Sequence, residues 1–374
     1  MKKITGASVV TPNGVVKSDV IYDEKIISVG KSADADEVIN AEGDYLIPGL
    51  IDLHIHGYLG TDVTDADSES LEAISRGILK NGVTAYLPTA MTASYERLES
   101  VFDVVRGAMR GLPKDCAEVL GVHSEGPFIN PSKKGAQPEE YIKAPDADFV
   151  GKHKDVVKLI TVAPEMDKDF AAIKRICAET DAIVSMGHTG MDYETAVRSI
   201  DAGVSHATHL FNAMTPITHR EPGAAGAALF SDKVSCELIC DGFHVNSALF
   251  EPVFKLKGKK LNLITDCIRA GGLADGEYDL GGQNVTVKGI QCRLADGTIA
   301  GSVLTLNKAV YNISKQGVPL HEAVNAASLY PAMTLGIENE RGAIEVGLKA
   351  DMVICDKEMN VKRVIRNGET VYKA

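Results

Sequence analysis

The chain has 374 residues, 45% of them hydrophobic, enough to bury a large core in one barrel-sized domain with a smaller partner and no sign of disorder. Lys and Arg number 39 against 51 Asp and Glu, and the net charge of -12 comes with no basic run, so neither nucleic acid nor a membrane surface is an expected partner. An anionic small substrate stays open, because a local Arg/His pocket binds phosphate whatever the global sign.

At the N terminus two lysines are followed by Pro12-Asn13-Gly14 instead of an unbroken apolar core, and no later stretch reaches the ~18 apolar residues that span a bilayer, so a cytoplasmic protein is expected. Ile4 to Val29 is rich in β-branched residues broken by Asn13-Gly14 and Asp23-Glu24, which predicts short strands and turns. Eight further β-branched runs follow: Leu46 to His56, Thr84 to Thr89, Val119 to His123, Val157 to Val162, Ala182 to Met186, Val204 to His209, Val234 to Cys240 and Leu261 to Thr265. Helical periods lie between most of them, as in Leu71-Ile74-Ile78, Leu98-Val101-Val105, Phe170-Ile173-Ile176 and Ala196-Ile200. Strand alternating with helix predicts a parallel sheet, and eight repeats are what a (β/α)8 barrel needs. Leu273 to Ile299, with turn signals at Asp275-Gly276, Gly281-Gly282 and Asp296-Gly297, reads as a β-hairpin insertion, either a lid or a decorated loop. The tail from Gly342 to Tyr372 repeats the style of the N terminus, with Asn367-Gly368 as a hairpin turn. The expected architecture is α/β: a TIM-like barrel over 49–341, with the insertion around 273–299, and a small β-sandwich built from 1–48 and 342–374. The 7 cysteines, odd in number and mostly in apolar surroundings such as those of Cys177 and Cys236, read as reduced core thiols.

The chemistry gathers at the ends of these runs, where a barrel builds its active site. His54 and His56 alternate on one strand, so both imidazoles reach the same face about 6–7 Å apart. Run three ends in His123-Ser124-Glu125, run five in Gly187-His188, run six in Thr208-His209, run seven in Asp241-Gly242-Phe243-His244 and run eight in Asp266. Four histidines and two carboxylates at one mouth supply N/O ligands for one or two divalent ions per subunit, Zn²⁺ first and Fe²⁺ as the alternative, with Glu125 the anionic ligand. Asp266 is placed to take a proton from a metal-activated water and return it to a leaving nitrogen, which predicts hydrolysis of a carbon–nitrogen bond.

These residues sit in longer stretches: Pro48-Gly49-Leu50-Ile51-Asp52-Leu53-His54-Ile55-His56-Gly57, His123-Ser124-Glu125-Gly126-Pro127-Phe128, Gly187-His188-Thr189, Thr208-His209-Leu210-Phe211-Asn212-Ala213-Met214, His219-Arg220-Glu221-Pro222-Gly223, Asp241-Gly242-Phe243-His244 and Gly347-Leu348-Lys349-Ala350-Asp351. In them the chain resembles the amidohydrolase superfamily and, within it, the N-acetylglucosamine-6-phosphate deacetylases. That resemblance implies that Glu125, His188 and His209 hold the hydrolytic metal, that His54 and His56 can hold a second, and that Asp266 is the acid/base. It also implies that Asn212 and Ala213 main-chain groups, Arg220 and His244 receive a sugar phosphate, and that the loop bearing Arg220 reaches the neighbouring site of a homodimer. One position departs from the pattern: Gln137 stands where the family usually has a histidine that polarises the acetyl carbonyl, and Gln137 donates a hydrogen bond without a charge. The implied substrate is N-acetylglucosamine 6-phosphate. Its galactosamine epimer is the enzyme alternative, and a non-catalytic sugar-phosphate-binding barrel is the alternative of another class.

Overall fold

The computed structural model describes residues 1–30 and 34–374. Eight parallel strands form the barrel wall: Leu50–Ile55, Val83–Ala90, Val122–Phe128, Val157–Val162, Ile183–Met186, His206–Ala207, Ser235–Ile239 and Leu261–Ile264. Each predicted run supplies one of them. Ile51 and Leu53 of the first strand cluster with Ala85, Leu87, Leu159, Ile239 and Ile264 of four others, and side chains from strands so far apart in sequence can meet only inside the barrel. The inside also carries a buried polar chain, His123 Nε2 to Thr161 Oγ1 (2.8 Å), Thr161 to Thr208 (2.7 Å) and Thr208 to Ser185 (2.6 Å).

The first run proves to be two strands. Tyr45–Pro48 pairs with Ser8–Thr11 and Met352–Cys355 outside the barrel, and only Leu50–Ile55 joins the wall. The break falls at Gly49, where a Cβ would lie 2.2 Å from Thr84 Oγ1, directly after Pro48, which has no N–H for a ladder. The helical periods form helices on the outside, and Ser68–Leu79 buries Leu71, Ile74 and Ile78 under an Asp67 cap. Phe170 falls outside its predicted helix: it takes a left-handed conformation (φ 54) and precedes Ala171–Glu179. Cys177 is exposed, because Ile173 and Ile176 take the inward face of that helix, whereas Cys236 and Cys240 are buried as expected and no disulfide forms among the described residues.

The first and last barrel strands close the wall with few ladder bonds. Asp266 N–H donates to His54 O (2.9 Å) at the mouth, while toward the base Ile51 and Leu263 N–H turn instead to the Ala327 and Ala326 carbonyls (2.8 and 2.7 Å). The fully buried Asp52 carboxylate fills the seam, accepting from Thr265 Oγ1 (2.6 Å) and from His54 N–H (3.2 Å). Burial pushes Asp52 up to about 7 against the pull of those hydrogen bonds.

The two termini build a four-stranded and a six-stranded sheet that share a core of Ile4, Val9, Tyr22, Leu46, Met352 and Ile365. The insertion is a three-stranded antiparallel sheet, Gly276–Leu280, Gln283–Lys288 and Gln291–Leu294, whose Leu280, Val285 and Cys292 pack on Met91, Ala136 and Ile268 beside the barrel mouth. No helix among the described residues is long and apolar enough to cross a membrane.

Asn367 (φ 47) and Gly368 (φ 76) turn the last hairpin, and a Cβ on Gly368 would lie 1.9 Å from the Asp23 carbonyl oxygen. Gly368→Ala should therefore destabilise the protein by about 2 kcal/mol, from left-handed strain plus backbone overlap. The check is a thermal melt, where a fall of a few degrees is expected and an unchanged midpoint would show that the Asp23–Glu24 turn yields freely.

Candidate active site

Six of the expected residues converge at the C-terminal mouth. His54 lies in the first strand and His56 just beyond it, Glu125 lies in the third, His188 and His209 follow the fifth and sixth, and Asp266 follows the eighth. All six are buried. His188 (φ 48), His209 (φ 29) and Asp266 (φ 50) have left-handed backbones, costly for non-glycine residues and concentrated here where strands turn into loops. The ligand atoms form two trios, Glu125 with His188 and His209, and Asp266 with His54 and His56, each within 4.8 Å of one another.

The ring orientations follow from what each Nδ1 faces. His56 Nδ1 lies 3.1 Å from the Thr89 carbonyl and His188 Nδ1 2.8 Å from the Lys133 carbonyl, and a carbonyl only accepts, so both Nδ1 atoms carry the proton. His54 Nδ1 likewise donates to the Glu237 carboxylate at 2.9 Å. In a neutral ring each Nε2 is then a bare lone pair aimed at the centre. There His54 Nε2 and His56 Nε2 are 3.1 Å apart, and so are His188 Nε2 and His209 Nε2. Glu125 Oε1 lies 2.9 Å from His209 Nε2 and 3.1 Å from His188 Nε2, and Asp266 Oδ1 lies 3.2 Å from His56 Nε2. Lone pairs and carboxylates packed this closely repel unless positive charge sits among them.

The titration behaviour says the same. Burial pulls the His54 imidazole down, but Glu237, Asp266 and Glu125 outweigh it and raise its pKa to about 9. Burial pushes Asp266 up, yet His54 and His56 hold it at about 2, and Glu125 is held well below the usual carboxylate range by His54 and His188 despite its own burial. With no cation the cluster would have to bind protons; the N/O donors, their second hydrogen bonds and the local charge therefore fit a divalent metal.

A cavity of about 380 Å³ opens over the cluster, lined by His56, Glu125, His188, His209 and Asp266 together with Gln137, Asn212, Ala213 and His244. Leu280 and Thr298 to Gly301 close one side, so the inserted sheet walls the cavity. Gln137 donates from Nε2 to Glu125 Oε2 at 2.5 Å and accepts at Oε1 from Thr92 N–H at 2.7 Å. The expectation that Gln137 serves the acetyl carbonyl is thus qualified: its amide is committed to orienting Glu125, with one N–H hydrogen left over. Asn212 N–H is taken by the His209 carbonyl at 2.9 Å, whereas Ala213 N–H has no partner within the described residues. His244 Nδ1 is held by Asp241 Oδ2 at 2.6 Å. Arg220 stays outside: it is exposed, does not line the cavity and makes no ion pair within the described residues.

Two anchoring groups escaped the sequence reading. Glu165 accepts from Asn130 Nδ2 (2.8 Å), Gly190 N–H (2.6 Å) and Thr189 Oγ1, tying together the loops beside His188; its place just past strand four was the available signal. Glu237 lies inside a run whose alternation looks like ordinary core, and a lone carboxylate in an apolar strand was its only mark.

The model of the Amidohydrolase family matches residues 45–371. The chain belongs to the amidohydrolase family. It is 37% identical to N-acetylglucosamine-6-phosphate deacetylase of Bacillus subtilis (strain 168), over 99% of this chain and 96% of that one. The Homo sapiens protein of the same name is 33% identical over 96% of this chain and 91% of its own. Among solved structures, N-acetylglucosamine-6-phosphate deacetylase from Pasteurella multocida matches with a TM-score of 0.94 and 32% identity, covering 100% of both chains. A mutant of the Mycobacterium smegmatis enzyme, in complex with N-acetyl-D-glucosamine-6-phosphate, matches with a TM-score of 0.91 and 31% identity over 100% of this chain.

For this amidohydrolase, Glu125→Gln, His188→Ala and His209→Ala should each lower the metal bound per chain, read by elemental analysis of protein purified without chelator. Stripping the metal should lower the melting temperature, since an ion at a thousandfold excess over its Kd stabilises by about 4 kcal/mol. Full metal content in the Glu125 variant would show that the ligands are misassigned.

Proposed function

We propose that this amidohydrolase converts N-acetyl-D-glucosamine 6-phosphate and water to D-glucosamine 6-phosphate and acetate. The observation that carries the reading is Asp266, a buried carboxylate held ionised within 3.2 Å of the His56 imidazole in a cavity also lined by His244 and by Ala213, whose N–H has no partner among the described residues. The relatives' names supply the substrate class, and a lining that holds a carboxylate together with an imidazole and a main-chain N–H supports a phosphorylated amide substrate.

In this reading Glu125, His188 and His209 hold one divalent ion, Zn²⁺ first and Fe²⁺ as the alternative, and His54 and His56 with Asp266 hold a second. When bound, the ion supplies Lewis acidity to the amide carbonyl and to water. Asp266 accepts a proton from the water as its oxygen bonds to the acetyl carbon. The same carboxyl then returns that proton to the sugar nitrogen as the carbon–nitrogen bond breaks, so a neutral amine and acetic acid leave, and the acid gives the water's second proton to solvent to become acetate. Gln137 keeps Glu125 from rotating during the cycle. Asp241 orients His244, whose Nε2 and the Ala213 N–H take the 6-phosphate. Arg220, exposed and unpaired, completes the phosphate site of a second subunit in a cytoplasmic homodimer.

Asp266→Asn should keep the fold and the ion at Glu125, His188 and His209 and lower kcat by about 10²–10⁴-fold, because the amide cannot take the proton. Acetate release is the assay, and near-normal turnover would remove Asp266 from this role. Running the same assay on N-acetylgalactosamine 6-phosphate tests the epimer, since a deacetylase of that name from Escherichia coli O157:H7 is 32% identical over 89% of this chain. No acetate from either sugar with metal loaded would favour the non-catalytic reading.

Arg220→Ala should raise KM for the phosphorylated sugar by about 10–100-fold, the worth of a charge-assisted hydrogen bond at 1.5–3 kcal/mol. Mixing Arg220→Ala with Asp266→Asn chains should regain turnover if Arg220 acts across the dimer, because one site then has both groups. A mixture as inactive as its parents would return Arg220 to its own chain.

A further inference from the structure

The buried carboxylate of Glu237 has no part in the chemistry above, and its surroundings are unusual. It is fully buried in the seventh barrel strand, Ser235–Ile239. One oxygen, Oε2, does all its bonding: it accepts His54 Nδ1–H at 2.9 Å and the His209 main-chain N–H at 3.0 Å. The other, Oε1, has no hydrogen-bond partner and faces His206 Nε2, also unpartnered, at 3.7 Å. Burying a carboxylate with half its acceptor capacity unused is unfavourable, so core packing does not account for it.

We infer that Glu237 is a positioning residue that makes His54 a metal ligand and thereby sets the affinity of the His54/His56/Asp266 position. The inference rests on the two-ion reading. Accepting the Nδ1 proton fixes the tautomer in which His54 Nε2 is the lone pair, 3.1 Å from His56 Nε2. A full negative charge behind the ring also raises the basicity of that nitrogen. The same oxygen touches the other trio only through the His209 backbone, so its electronic effect falls on one position and its structural effect on both. Glu237 thus hydrogen-bonds one member of each trio, His54 through its ring and His209 through its main chain.

The test is titration of chelator-stripped protein with Co²⁺, following visible absorption of the bound ion and the number of ions per chain. Wild type should take two ions. Glu237→Ala should keep the first at wild-type affinity and bind the second 10–100-fold more weakly. Glu237→Gln, whose carbonyl still accepts the Nδ1–H but lacks the charge, should fall between the two. If Glu237 acts through His54, then His54→Ala and the double variant His54→Ala, Glu237→Gln should titrate alike. Two ions at wild-type affinity in folded Glu237→Ala overturns the inference, as does unchanged binding in Glu237→Gln if the alanine variant does not fold. A single ion in wild type overturns the two-ion reading and this inference with it. That failure is seen before any variant is compared.

Discussion

The seam between the first and last barrel strands is the constraint from which the site follows. A parallel barrel must close its first strand on its last, and here the ladder between Leu50–Ile55 and Leu261–Ile264 is replaced at mid-height by the Asp52 carboxylate and at the base by the Ala326 and Ala327 carbonyls. At the top main-chain bonds survive, from His56 and Gly57 N–H to Cys267 O and from Asp266 N–H to His54 O, and the last holds the base of the proposed reaction beside the His-x-His pair. Removing Asp52 would take from the His54 N–H its acceptor inside the wall and leave the Thr265 hydroxyl only the longer bond to His54 O, at 3.3 Å.

Much of this was legible beforehand, for identifiable reasons. Strands buried on both faces read as β-branched runs, so the eight runs stood out, and ligands at strand ends are conspicuous because imidazoles and carboxylates interrupt apolar stretches. The division at Gly49 was hidden, because Leu46 to Ile51 is apolar on both sides of it and only the close approach of Thr84 shows why no side chain fits there. Glu237 was hidden for the opposite reason: alternation predicts that its side chain points inward and says nothing of what it meets. Gln137 could be placed at the cavity from its motif, but which of its two amide groups faces Glu125 depends on Thr92, 45 residues away.

Backbone strain is concentrated where the chemistry is. Phe211 (φ 78) and Ala213 (φ 51) join His188, His209 and Asp266 in left-handed conformations around one cavity. Each costs of order 1–3 kcal/mol unless its surroundings over-determine it. The surroundings are visible here: Thr189 N–H on the Ala213 carbonyl, Glu237 on His209 N–H, and the Asp266 N–H on His54. Ala213 lines the cavity and its N–H has no partner among the described residues, so the anion donor proposed there is a main-chain group that no side-chain substitution removes.

The sheet that joins the two ends of the chain also dictates an order of events during synthesis. Tyr45–Pro48 lies between Ser8–Thr11 and Met352–Cys355, the second of which follows it by about 300 residues. At ~5–20 residues per second, the ribosome leaves the outer edge of Tyr45–Pro48 without its neighbour for tens of seconds while the whole barrel is made. During that interval an apolar strand with unsatisfied main-chain groups is open to pairing with another nascent chain. The carboxyl-terminal strands therefore act as a built-in cover, and truncations that leave every ligand and the base intact would still produce a chain prone to edge-to-edge aggregation.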